Sequence, residues 1–338
     1  MDNVSRQAHQ EAVKNRTSRV RCAVTVARAS RSTAKSTMRI DLQIGGYRIG
    51  LDEPENHPRL AWPLRPFDSF LAQPGTQSDV DVTVTVASHL PALARGPLRF
   101  DAAHGLWKLF ESDAGLVIES LSPNTHQPRA CAMVSEDYRT VRAWILPELQ
   151  MGQVGWCPMH LFNPLVEVCL LSRMAREGTL LLHAAGLSSH EQGYLFTGAS
   201  GAGKSTIADF FAERGALILS DERIIIRNIA GRFMIHGTPW VGSGNYATND
   251  RSPLTHLYCI SHGTGRHTTS SMSPRAVVQE LLRQSFLPLW DREALETTMG
   301  IIADLVQQVD CRALAPMKSP DIVDYILAQR QLHPVGSP

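Results

Sequence analysis

Gly198, Gly203, Lys204 and Ser205 stand at the spacing G-x-x-x-x-G-K-[ST]. The whole run is Gly198-Ala199-Ser200-Gly201-Ala202-Gly203-Lys204-Ser205-Thr206. Glycines let a backbone turn tightly enough that successive N–H groups point into one concavity, which suits phosphate oxygens. A helix opening at the same place adds its positive end. In this pattern the lysine reaches the β- and γ-phosphates and the hydroxyl of Ser205 binds Mg²⁺. A glycine-rich turn that merely caps a helix is the plainer alternative, but it leaves the register of Lys204 with Ser205 unexplained.

A phosphate loop needs a strand before it and a helix after it. Tyr194–Thr197 reads as a buried strand. Ser205–Arg214 reads as a helix, with Ile207, Phe210 and Phe211 at helical spacing and Gly215 as its stop. A further strand is expected over Ala216–Leu219. Directly after it, Asp221-Glu222 interrupts the apolar run Ala216–Ile226. Two carboxylates in such a run require solvent or a cation. A Mg²⁺–phosphate site would supply the cation; pairing with Arg223 or Arg227 is the alternative. Upstream, His183 lies on a predicted buried strand, Thr179–Leu187. By spacing alone it reads as a core histidine with a hydrogen bond, against a residue of the site.

The remaining chain supplies the scaffold. With 338 residues, 43% of them hydrophobic and 19% charged, it is long enough for two domains with substantial cores. A net charge of +1 gives no overall pull toward nucleic acid or anionic membrane. No apolar run approaches the roughly 18 residues that span a bilayer. Cys22, Cys131, Cys157, Cys169, Cys259 and Cys311 form no C-x-x-C pair, so reduced thiols in a cytoplasmic protein are expected, and a zinc site is not.

Residues 1–37 carry eight Lys/Arg against Asp2 and Glu11, with Ser, Thr and Ala between, and predict a disordered basic arm. A binding arm, an organellar transit peptide and a true start at Met38 all fit this composition. Residues 38–158 predict a small antiparallel β-rich domain. Arg39–Ile44 and Tyr47–Leu51 alternate around Gly45-Gly46 as a hairpin, and Asp79–Val86 alternates strictly. Short strands are expected at Leu98–Asp101, Leu106–Glu111, Gly115–Leu121, Ala130–Val134 and Thr140–Leu146. Trp62 and Phe67, in a loop with Pro54, Pro58, Pro63 and Pro66, read as core plugs. Residues 159–331 form the second predicted domain, with 332–338 as a tail. It opens with a helix from Asn163-Pro164 and has a strand at Leu254–Ile260. A mobile polar loop is expected at Ser261–Ser273, then helices at Arg275–Arg283, Asp291–Val309 and Asp321–Gln331.

The order His183, then the loop 198–206, then Ser220-Asp221-Glu222, resembles the HPr serine kinase catalytic domain. It also resembles HPr-kinase-like tailoring enzymes encoded with lasso-peptide and other peptide pathways. Gly237-Thr238-Pro239-Trp240 and Leu287–Trp290 are closer to that wider group. The resemblance covers roughly 160–330. It implies an α/β P-loop kinase domain related to ATP-dependent phosphoenolpyruvate carboxykinase, here preceded by the smaller β-rich domain. It implies transfer of the γ-phosphoryl group of ATP, with Mg²⁺, to a hydroxyl of a protein or peptide. By position it makes Lys204 and Ser205 the phosphate and metal residues, Asp221 the base for the acceptor hydroxyl, and Glu222, beside Asp221, a metal carboxylate. It makes His183 a catalytic-site histidine. An assisting arginine is expected from Arg266, Arg251 or Arg275. A homo-oligomer is expected; nucleic-acid and membrane partners are not. The N-terminal half does not resemble that of HPr kinase, which argues against HPr itself as substrate and against a reverse phosphorylase activity. A small-molecule kinase and a nucleotide-binding regulator without transfer are the alternatives.

Overall fold

The computed structural model describes residues 39–332, apart from 55–56, 61–64, 74, 76 and 264. The basic segment 1–37, Met38, Trp62, Pro63 and the tail beyond 332 therefore lie outside the described residues. The architecture is mixed α/β, built on two large sheets that belong to one compact unit.

The first sheet uses β1 (Arg39–Ile44), β2 (Tyr47–Asp52), β3 (Leu71–Ala72), β4 (Val80–Val86), β5 (Leu98–Asp101), β6 (Trp107–Ser112), β7 (Gly115–Leu121), β8 (Pro128–Val134) and β9 (Thr140–Ile145). Its order is β3-β1-β2-β4-β9-β8-β7-β6-β5. The predicted hairpin forms, with Gly45 at φ 60° and Gly46 at φ 89° in the turn, a conformation glycine adopts without a Cβ clash. In β4 the alternation is literal: Val80, Val82 and Val84 are buried while Asp81, Thr83 and Thr85 face water. The sequence predicted an antiparallel sheet, and the structure corrects this. Strand β4 pairs in parallel with both β2 and β9. The long connections on either side of β4 let the chain cross over, a freedom that alternation within each strand does not reveal. A short helix, α1 (Arg65–Asp68), brings Phe67 into the core, as expected. A small hairpin, β10 (Glu148–Gln150) with β11 (Gln153–Gly155), follows the sheet.

The chain enters the second half through α2 (Pro158–Leu161) and α3 (Glu167–Arg176). Leu161, Leu165, Val168, Cys169 and Met174 bury against the first sheet. Gly178, at φ 66°, ends this helical stretch at its expected place.

The second sheet contains β12 (Thr179–Ser189), β13 (Gln192–Thr197), β14 (Leu217–Ser220), β15 (Arg223–Ile229), β16 (Arg232–His236), β17 (Arg251–Ile260), β18 (Thr268–Ser271) and β19 (Asp310–Ala315). Its order is β13-β12-β15-β16-β17-β19-β18. Strand β14 lies on β12, and β13 also pairs with β17, so the path closes on itself. Helices α4 (Lys204–Glu213) and α7 (Ile322–Leu332) cover one face through Ile207, Phe211, Ile322 and Ile326. Helices α5 (Pro274–Gln284) and α6 (Arg292–Gln308) cover the other through Val277, Leu281, Ile302 and Leu305. Both helices are capped by side chains: Ser273 Oγ accepts from the Ala276 N–H, and Asp291 Oδ1 from the Ala294 N–H. The polar stretch 261–273 is not all loop. Thr268–Ser271 pairs with β19, because backbone hydrogen bonding asks only for a neighbouring strand, not for apolar side chains.

The two halves share a core. Leu181 and Ile225 of the second sheet belong to the same buried cluster as Leu42, Ile44 and Ile49 of the first. Tyr47 Oη and Thr179 Oγ1 lie 3.0 Å apart in a hydrogen bond, and Arg227 Nη1 donates to Gly45 O at 2.8 Å.

Candidate functional site

Strand β12 has β13 along one edge, over Ala184–Ser189, and β15 then β14 along the other, over Thr179–His183 and Gly186–Ser188. The glycine turn leaves the end of β13, and Asp221-Glu222 join β14 to β15, so both segments lie beside His183–Ala184. Two bonds fix this geometry: Thr197 Oγ1 donates to His183 O at 3.1 Å, and the Ala184 N–H donates to Glu222 O at 3.1 Å.

The turn 198–203 depends on its glycines. Gly201 and Gly203 have φ 79° and 103°, in the left-handed region. A Cβ on Gly198 would meet Ile260 O at 2.7 Å. Helix α4 then starts at Lys204 with no side chain capping its N-terminus, which leaves its first amides free for an anion. Ser205 and Thr206 are in that first turn.

Lys204 is buried, and its Nζ donates to Gly198 O at 2.8 Å and Ala199 O at 3.2 Å. Burial pushes its pKa below the ordinary lysine value, and the carboxylates of Glu222 and Glu280 partly offset this. The ammonium thus lies in the field of Glu222. His183 joins the same group: its Nδ1 lies 3.0 Å from Glu222 O and 3.5 Å from Glu222 Oε1. Glu222 is therefore in contact with His183, and its charge acts on Lys204.

Asp221 is placed differently. Its buried carboxylate accepts from the N–H groups of Gly242 (2.9 Å), Gly244 (2.7 Å) and Tyr246 (3.3 Å). Gly242 and Gly244 have no room for a Cβ, which would meet Asp221 Oδ2 at 2.8 and 2.9 Å. Asp221 thus pins the loop 242–246. Tyr246 Oη in turn donates to Asp209 of α4 at 2.9 Å.

The alternative pairing of the two acids with Arg223 or Arg227 does not form. The Arg223 guanidinium contacts the Glu167 carboxylate and lies over the rings of Phe286 (4.4 Å) and Trp240 (5.2 Å). Arg227 serves Gly45 O and the Tyr47 ring. Of the three arginines expected to assist, Arg266 and Arg275 are exposed, and Arg251 opens β17 in register with His236. One charge acting on Lys204 was not foreseen from the sequence: Glu280 comes from α5, and no sequence spacing links it to Lys204.

Among the described residues, one trio could place metal-ligand atoms within 4.8 Å of one another: Glu148, Cys157 and His160. The charge of Arg129 bears on all three groups, which disfavours a second cation there.

No family model matches the chain, and no curated protein matches it. Among solved structures it is similar to the HPr(Ser) kinase/phosphatase from Coxiella burnetii. The match covers 45% of this chain and 90% of that one, with 11% identity and a TM-score of 0.27. At that similarity the match carries no argument about activity.

Proposed function

We propose that the chain is an ATP-dependent phosphotransferase that moves the γ-phosphoryl group to a hydroxyl of a protein or peptide. The observation that carries the reading is a buried Lys204 held by the carbonyls of a glycine turn at a helix N-terminus, with the His183–Glu222 contact on the neighbouring strands. A desolvated ammonium held only by its own loop carbonyls can exchange them for phosphate oxygens, and the open amides of α4 lie beside it. The residues fit a metal-chelated triphosphate: the amides that open α4 and Lys204 for the phosphates, Ser205 Oγ and Glu222 for Mg²⁺. The ion supplies charge neutralisation on the transferring group.

Phosphoryl transfer asks for positioning and electrostatics more than covalent chemistry. Glu222 is the acid whose carboxylate lies against His183 and whose charge acts on Lys204, so it also takes the role of accepting the proton from the attacking hydroxyl. His183 orients it through Nδ1. The base expected at Asp221 becomes a positioning residue, since three amide donors already hold its oxygens.

Purified protein should bind ATP–Mg²⁺ and phosphorylate a hydroxyl acceptor. Lys204→Met should weaken ATP binding about tenfold or more, as for loss of a charge-assisted contact worth ~1.5–3 kcal/mol. Glu222→Gln should keep ATP binding and lower turnover by about 10²–10⁴. Full turnover in Glu222→Gln would return the base role to Asp221; unchanged ATP affinity in Lys204→Met would remove the nucleotide reading.

A further inference from the structure

The chain leaves the first sheet through the hairpin β10–β11 and enters the second half through α2. Three groups of metal-binding type meet at that passage. Among the described residues, Glu148, Cys157 and His160 bring a carboxylate oxygen, a sulfur and a ring nitrogen within 4.8 Å of one another. Each stands on backbone that other bonds already fix. Glu148 pairs with Gly155 at the base of the hairpin. Trp156, next to Cys157, donates its N–H to Pro58 O at 3.1 Å, and its O accepts from the Leu60 N–H at 2.9 Å. His160 lies one helical turn beyond Cys157, and its N–H donates to Cys157 O at 3.1 Å. The step Cys157–His160 is C-x-x-H, so it carries no C-x-x-C signature.

The side chains point at one another. His160 Nδ1 contacts Glu148 Oε1. Burial holds the Cys157 thiol above the ordinary cysteine range, while the N–H groups of Met159 and His160, donated to its sulfur, favour the thiolate. All three residues are half-buried, so a fourth position stays open to water. A thiolate, an imidazole and a carboxylate with one open position make a donor set for tetrahedral Zn²⁺. Arg129 then selects among ions, because its charge bears on the whole group. Mg²⁺ or Ca²⁺ would displace no proton from sulfur, would add charge beside the guanidinium, and would find too few oxygen donors. A thiophilic dication replaces the Cys157 proton, and thiolate plus carboxylate balance its two charges.

We propose that Glu148, Cys157 and His160 bind a thiophilic divalent cation of the Zn²⁺ class. The ion replaces the His160–Glu148 contact and ties the base of the hairpin to the start of α2. Because the backbone of all three ligands is fixed without it, binding asks for small side-chain movements only. None of the ligands belongs to the phosphate loop, and the inference does not depend on phosphoryl transfer.

The test uses the full chain, reduced and freed of transition metals, in excess Mg²⁺ and without nucleotide. Co²⁺ is the probe, since thiolate-bound tetrahedral Co²⁺ absorbs in the near ultraviolet and the visible, where Mg²⁺ and Zn²⁺ are silent. A single equivalent should give both bands despite the Mg²⁺. Zn²⁺ should bleach them with a dissociation constant on the order of 1 μM or tighter. Cys157→Ser should remove the near-ultraviolet band, whereas Cys22→Ser and Cys311→Ser should keep it. Glu148→Gln and His160→Ala should each weaken Zn²⁺ at least about tenfold. The proposal is overturned by the absence of a thiolate band, by a band that survives Cys157→Ser or is lost in either other cysteine variant, or by unchanged Zn²⁺ affinity in Glu148→Gln or His160→Ala. The titration of unaltered protein stands even if a variant fails to fold. ATP binding measured on the same sample separates this outcome from failure of the kinase reading.

Discussion

Two adjacent acids have separate partners. Residues 221 and 222 form the bend between β14 and β15. The Asp221 carboxylate holds the loop 242–246, and that of Glu222 lies against His183. Loss of the Asp221 carboxylate should therefore be felt first as instability. Asp221→Ala strands the amides of Gly242 and Gly244 and should cost ~1–3 kcal/mol, read as a lower denaturant midpoint. Asp221→Asn keeps one acceptor and should cost less. A variant that loses turnover with an unchanged midpoint would contradict the anchoring role.

At the level of elements, the glycine turn is the piece most exposed to a single substitution. Gly203 has φ 103° and open space around it, so the strain in Gly203→Ala is backbone strain and not a clash. It should cost about 1–2 kcal/mol. It should also turn the first amides of α4 out of line, which nucleotide titration beside a melting curve would detect. This turn was legible in the sequence because its chemistry is local: glycines, lysine and hydroxyl fall within nine residues. The hairpin at Gly45-Gly46, β4 and the capped helices α5 and α6 were legible for the same reason. The pairing of β4 with β2 and β9 and the strand at Thr268–Ser271 were not. Each depends on which distant segment lies alongside, and side-chain periodicity carries no record of that. The division of labour between Asp221 and Glu222 was hidden too, since it depends on a loop twenty residues away.

Across the whole molecule, stability should carry a marked acid limb. His236 is buried at the end of β16, with Arg227 and Arg251 near it, and burial, then those two charges, lower its pKa to about 4. In the unfolded chain the same group titrates near its ordinary 6.5. Above pH 6.5 it is neutral in both states and costs nothing. As pH falls from about 6.5 to about 4 the unfolded chain takes up a proton that the folded one refuses. Stability declines over that window by roughly 3 kcal/mol at most. His236→Gln should flatten the slope of unfolding free energy against pH there by about one proton; an unchanged slope would assign the acid limb elsewhere.

The hairpin tip at Gly45 rests on Ile225, close enough that a methyl group there would touch its side chain at 2.5 Å. Anyone cutting the gene near residue 158 to obtain the second half alone would strip that cover from Leu181 and Ile225. Such a fragment would present a raw greasy face and should come out of expression as insoluble material. Supplying residues 39–157 as a separate polypeptide in the same cells should rescue it.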